Sequence, residues 1–160
     1  MKVFLRTGFL ALIVIAHVVP VNAGPFEDGV EAAERGDYTA ALKLWRPLAE
    51  LGHTEAQYIL AVMYSTGRGV PQDDATAALW YRKAAEQGFA KAQYNLGLWH
   101  TTGRGIPQDF VSAHMWFTLA AVQSNEKAQK GRDLATRLMT PDQIAVAQRL
   151  AGEWMAKNQQ

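Results

Sequence analysis

The residues with chemical capacity are few, and their spacing decides what they can do. Three histidines lie beyond residue 23: His53, His100 and His114. Imidazoles relay protons near neutral pH and ligate metals, but none of these has the spacing of a metal-ligand set. The chain has no cysteine, which removes thiol catalysis, thiolate metal sites and disulfides together. Ser124-Asn125-Glu126-Lys127 fits Ser-x-x-Lys, a pattern that can join a nucleophile to its base. It stands alone, without the companion motifs of that chemistry. The structural alternative is a helix-capping Ser124 beside ordinary surface charges. There is no phosphate-cradling glycine loop and no Gly-x-Ser-x-Gly turn. These residues therefore point away from an enzyme, and to no cofactor or metal. What recurs instead are groups suited to recognition: Tyr58 and Tyr94, and Arg68 and Arg104, each arginine set between glycines.

The first 23 residues read as an export signal, not as fold. Lys2 and Arg6 give a positive start, Phe9 to Val19 is apolar apart from His17, and Val21-Asn22-Ala23 suits cleavage after Ala23. The apolar run is shorter than the roughly 20 residues of a spanning helix. A periplasmic or secreted protein without stable membrane insertion is expected. The whole chain carries a net charge of +1. Removing Lys2 and Arg6 leaves fourteen basic against fifteen acidic side chains. With no basic block, nucleic acid is not an expected partner.

Positioning falls to a repeat. Ala56-Gln57-Tyr58-Ile59-Leu60 returns thirty-six residues later as Ala92-Gln93-Tyr94-Asn95-Leu96. Thr66-Gly67-Arg68-Gly69-Val70-Pro71-Gln72-Asp73 returns as Thr102-Gly103-Arg104-Gly105-Ile106-Pro107-Gln108-Asp109. The ungapped segments 56–91 and 92–127 share 17 of 36 residues. A period of this size marks a solenoid of stacked units. Ala56, Ile59, Leu60, Met63 and Tyr64 form one helical stripe; Ala77, Trp80, Tyr81, Ala84 and Ala85 form another. Glycines end the first helix, and Asp73 sits where an N-cap would start the second. Shifted by one period, Ala41, Trp45, Ala49 and Gly52 meet Ala77, Tyr81, Ala85 and Gly88, so 24–55 reads as a degenerate first unit with a tight Gly36-Asp37 connection. At the other end, Ala128-Gln129 opens a divergent unit over 128–157, and Thr140-Pro141-Asp142-Gln143 starts its second helix. Residues 158–160 form a tail. The expectation is all-α: an α/α superhelical solenoid of eight helices in four antiparallel pairs.

Ala-Gln-Tyr-x-Leu, Gly-x-Gly-Val/Ile-x-Gln-Asp and Ala-x-x-Trp-Tyr/Phe-x-x-Ala-Ala together resemble the Sel-one-like repeats, a tetratricopeptide-like family of helical hairpins. The resemblance covers 56–127 well, 36–55 in part and 128–157 as a terminal cap. It implies a right-handed superhelix that serves as an adaptor or scaffold for other proteins. Cysteine-rich relatives associated with β-lactam binding offer the alternative of a weak cell-wall-directed or β-lactam-directed enzyme or binder, but their paired cysteines are missing here. The second regular unit departs from the first at His100 for Tyr64, Thr118-Leu119 for Arg82-Lys83 and Ser124 for Gly88, which makes its outer face more apolar.

By the same resemblance the first helix of each pair lines the concave surface. Glu55, Tyr58, Val62, Ser65 and Thr66 would line it in one unit, and Lys91, Tyr94, Leu98, Thr101 and Thr102 in the next. Tyrosines among short polar neighbours suit a protein or peptide partner; alternatively the two rings pack between helices. Arg68 and Arg104 would form a positive ridge along one edge, or lie solvated in their loops. Trp45, Trp80 and Trp116 read as core, and Trp99 as a gap-filler or an anchor.

Overall fold

A computed structural model describes residues 24–158, and every element in it is helical. The export-signal reading of 1–23 lies outside the described residues, as do Gln159 and Gln160. The helices are α1 (Pro25–Glu34), α2 (Tyr38–Glu50), α3 (Thr54–Thr66), α4 (Asp74–Glu86), α5 (Ala90–Thr102), α6 (Phe110–Ala121), α7 (Glu126–Thr136) and α8 (Pro141–Asn158).

Local chemistry sets these bounds. Asp73 accepts hydrogen bonds from the amides of Ala75 and Thr76, and Asp109 accepts from Val111 and Ser112, satisfying first-turn donors. Gly67 and Gly103, with φ of 71° and 72°, turn the chain out of α3 and α5 in the left-handed conformation. Thr140 and Gln143 form a reciprocal capping box at the start of α8. The cap of α7 is Asn125, which accepts from the Ala128 amide, and not Ser124 as the sequence suggested. Ser124 instead takes the left-handed turn before it, with φ of 64°, at the place of Gly88.

Helices α1 and α2, α3 and α4, and α5 and α6 pack as hairpins, and α3, α5 and α7 each pack on the second helix of the pair before. Close approach comes from large residues set against small ones. Phe117 lies against Gly97, where any Cβ would enter its ring, and Trp45 lies against Gly29 in the same way. Trp45, Tyr81, Trp99 and Trp116 are buried among alanines, while Trp80 is half-buried beneath Lys83. Trp45, Trp99 and Trp116 thus fill the core, while Trp80 packs at its edge.

The fourth unit departs from the expected pair. Helices α7 and α8 do not pack along one another; both lie against α6. Ala128 and Ala135 bring α7 to Phe117, whereas Ala151, Trp154 and Met155 carry α8 to Leu119 and the alanines of α4. Leu119, buried where the preceding unit carries exposed Lys83, gives α8 its apolar seat.

Candidate interaction surface

The long loops, which promised a positive ridge, are clamps between units. Gly69 lies against the Tyr38 backbone, leaving no room for a Cβ, and Gly105 lies in the same way against Asp74. Each therefore closes on the first turn of the preceding second helix. Arg104 follows its glycine: Nε donates to Oδ2 of Asp74 and Nη2 to Oδ1, each at 2.8 Å. Nη2 also donates to the Ser65 carbonyl at 2.8 Å, and the guanidinium lies 4.8 Å from the Trp99 ring centre. Hydrogen bonding from Arg104 holds the Asp74 carboxyl below the usual carboxylate range. Arg68 sits 5.6 Å from the centre of the Tyr38 ring. The ridge reading is corrected accordingly: Arg104 is occupied within the chain, and the two arginines are not an equivalent pair of free cations.

A second set of clamps runs through glutamines. Gln57 Nε2 donates to the Ala49 carbonyl and Gln93 Nε2 to that of Ala85. Gln87 donates to Gln57 at 2.7 Å and Gln123 to Gln93 at 2.9 Å. The repeated Gln thus satisfies a buried carbonyl of the preceding unit, a task absent from the sequence-based reading.

The first-helix residues divide by burial. Glu55, Thr66, Lys91 and Thr102 are exposed; Tyr58, Val62, Ser65, Tyr94, Leu98 and Thr101 are half-buried. The Tyr58 ring packs 5.1 Å from Phe89 and 5.9 Å from Tyr81, and the Tyr94 ring 5.9 Å from Phe117. Both tyrosines therefore hold adjacent helices together while leaving part of each side chain to solvent. Thr66, Thr101 and Thr102 donate their hydroxyls to carbonyls of their own helices.

One more period adds residues that the sequence-based reading left out. The caps of α5 and α7, Phe89 and Asn125, stand thirty-six residues apart. Lys127, Lys130, Leu134, Arg137 and Leu138 are thus the counterparts of Lys91, Tyr94, Leu98, Thr101 and Thr102. Tyr94 and Leu98 pack against the cluster that holds Ala128 and Ala135, so the column continues from α5 onto α7. Leu134 and Leu138 are 53% and 55% exposed. A cavity of about 310 Å³ is lined by Lys130, Asp133, Leu134 and Arg137. The missed signal was the cap register, obscured because few α7 residues repeat those of α5.

His100 and His114 are buried, and burial pushes both imidazoles below their ordinary pKa. His100 Nδ1 has no hydrogen-bond partner. Its counterpart Tyr64 receives a hydrogen bond from Arg46. Among the described residues, no group of three or more acidic or histidine side chains is placed to hold a metal ion. No helix among them is long and apolar enough to cross a membrane.

The architecture is that of a helical-repeat solenoid. The Sel1 repeat matches residues 24–53, 54–89 and 90–125, and the chain belongs to the Sel1 repeat family. It is similar to a protective antigen of uropathogenic Escherichia coli that displays an SLR fold, with a TM-score of 0.78 and 30% identity, over 84% of this chain and 30% of that one. It also resembles a Sel1 repeat protein from Oxalobacter formigenes, with a TM-score of 0.63 and 38% identity, over 68% of this chain and 85% of that one. An exopolysaccharide production negative regulator of Rhizobium leguminosarum bv. viciae is 40% identical over 62 residues, 37% of this chain and 23% of that protein. Rat DAP3-binding cell death enhancer 1 is 42% identical over 51 residues, 32% of this chain and 10% of that protein. The chain matches less than a quarter of either curated relative's length.

Proposed function

We propose that this chain is an exported, non-catalytic adaptor that holds a protein or peptide on the face formed by the first helices α3, α5 and α7. The observation that carries this reading is the recurrence of the same five positions on α3 and α5, and of three of them on α7 with the other two just past its end, partly open to solvent on each. Solenoids present extended surfaces in this way. The rat relative is named for binding DAP3, which fits a family use in protein contact. Export rests on the charge and apolar pattern of residues 1–23.

The alternative of a cell-wall-directed or β-lactam-directed enzyme gains nothing from Ser124. That residue is exposed in a left-handed turn, and Lys127 is exposed on α7.

Photo-crosslinking tests the adaptor reading. A photoreactive residue replaces Lys91 or Thr102 on the proposed face, or Leu79, which is exposed on α4. The first two positions should capture a partner in the exported fraction and Leu79 should not. Capture from Leu79 alone, or β-lactam turnover lost in S124A, would overturn the adaptor reading. Intact mass of the exported protein tests cleavage after Ala23; retention of residues 1–23 would contradict it.

A further inference from the structure

We infer that the α7 end of this face takes an acidic segment of a partner protein. Its carboxylates would meet Lys127, Lys130 and Arg137, and an apolar side chain would lie on Leu134 and Leu138. The inference rests on the adaptor reading and adds the chemistry of the partner.

Three observations converge on α7. Lys127, Lys130 and Leu134 follow one another at spacings of three and four on one face of α7, and Arg137 at its C-cap and Leu138 in the turn beyond continue the row. Leu134 and Leu138 are more than half exposed, although the counterpart of Leu134 on α5, Leu98, is half-buried in the core cluster that α7 helps to build. The cations are also uncommitted. Among the described residues, Lys127, Lys130 and Arg137 form no ion pair, while Asp133 beside them is paired with Arg132 at 3.1 Å. Arg104, by contrast, is fully engaged with Asp74. The molecule thus distinguishes a structural arginine in its loop from cations left open on this helix.

The charge along the solenoid is polarised. Residues 24–53 carry six acidic and three basic side chains, whereas 126–158 carry four acidic and six basic. An acidic ligand is therefore attracted to the α7 end and repelled from α1, which places it at that end of the face. Charge complementarity of this kind steers encounter and sets register. The exposed leucines supply the apolar contact that charge alone lacks in water. The open groove along α7 between Lys130, Asp133, Leu134 and Arg137 sets an exposed leucine between two cations, with the Asp133 carboxylate beside it turned to Arg132.

The test is selection from a random-peptide display library on the chain spanning 24–160, followed by fluorescence polarisation on the enriched peptides. Enriched peptides should combine Glu or Asp with Leu or Phe. Their affinity should fall with added salt and drop about tenfold or more in K130E/R137E. L134S/L138S should also weaken binding, and a matching circular dichroism melt shows that these exposed changes leave the fold intact. Enrichment of neutral or basic peptides, or acidic peptides indifferent to K130E/R137E, would overturn the inference. So would stronger binding to vesicles rich in phosphatidylglycerol than to any selected peptide, which would make α7 a lipid contact, and so would assembly of the chain with itself through α1. If Lys91 and Thr102 crosslink a partner whose capture K130E/R137E leaves unchanged, the adaptor reading stands and the acidic-segment inference falls.

Discussion

Three side chains register where the two regular units differ. His100 is buried with Nδ1 unpartnered, and a lost hydrogen bond at a buried group costs about 1–3 kcal/mol. Its counterpart Tyr64 receives a bond from Arg46, and the arginine one period later is Arg82, whose charge acts on His100. H100Y should recreate the bond between Arg82 and a tyrosine hydroxyl. It should also remove a source of acid sensitivity. Burial lowers the pKa of His100 and His114 in the folded chain, so the unfolded chain binds more protons. Their contribution to stability is fully present above the ordinary histidine pKa and is lost as pH falls through the lowered folded values. Urea midpoints across this range should decline toward acid in the parent and decline less in H100Y; equal slopes would refute the assignment to His100. Ser124 differs in another way, since it holds a left-handed φ where Gly88 holds one freely. S124G should raise stability by about 0.5–1 kcal/mol, because the Cβ penalty in that conformation slightly exceeds the added freedom of glycine when unfolded. A melting temperature unchanged or lowered in S124G would contradict this.

Between elements, the loop that looked like a binding edge proves to be a fastening. The Arg104 and Asp74 side chains remain 41% and 32% exposed, so water screens their charges. Even so, the bidentate geometry and the bond to the Ser65 carbonyl place R104A near the upper range for such pairs, at about 1 kcal/mol. R104K should recover little of that, since a lysine lacks the planar fork. R68A, which loses a single contact with the Tyr38 ring, should cost less. Chemical denaturation of the three variants checks the order, and R68A proving the costlier would sink it. The contrast explains what was legible in the sequence. Helix positions could be read because apolar stripes, glycine stops and aspartate caps are local signals repeated at a fixed period. The partner of Arg104 could not, because Asp74 lies thirty residues away and is replaced by Phe110 in the following unit. Nor could the parting of α7 from α8, which depends on Leu119 offering α8 a seat that Lys83 denies in the unit before. The candidate face could be proposed over α3 and α5, where tyrosines recur, but its continuation onto α7 could not, because only the cap register survives there.

At the scale of the whole solenoid, contacts run mainly between neighbouring units, with α8 also reaching back to the turn at Gly88, so stability is shared between unit cores and the interfaces joining them. The interior of the stack, from α3 to α6, is covered on both sides. It holds the buried rings of Tyr81, Trp99, Trp116 and Phe117. Helices α7 and α8 both close the end of the stack and each buries two residues. In α7 these are Ala128 and Ala135, and it has no hairpin partner. Helix α7 sets Gly131 against Phe117, and the longer α8 is held by Ala147 and Ala151 and by Trp154 against the turn at Gly88. Local opening follows the density of such contacts. Amide hydrogen exchange should therefore be slowest in α3 to α6 and faster in α7 and α8, which close the stack on one side. W154A should lower the protection of α8 and leave α1 nearly unchanged, since α1 lies one unit beyond the turn that Trp154 touches. Binding at α7 would then act on the least stable helix of the first-helix face, and an acidic peptide that docks there should slow exchange in α7 more than in α3 or α5. Uniform protection across the eight helices would mean that the stack melts as one block, and the reading of α7 as a docking helix at the less protected end would fail with it.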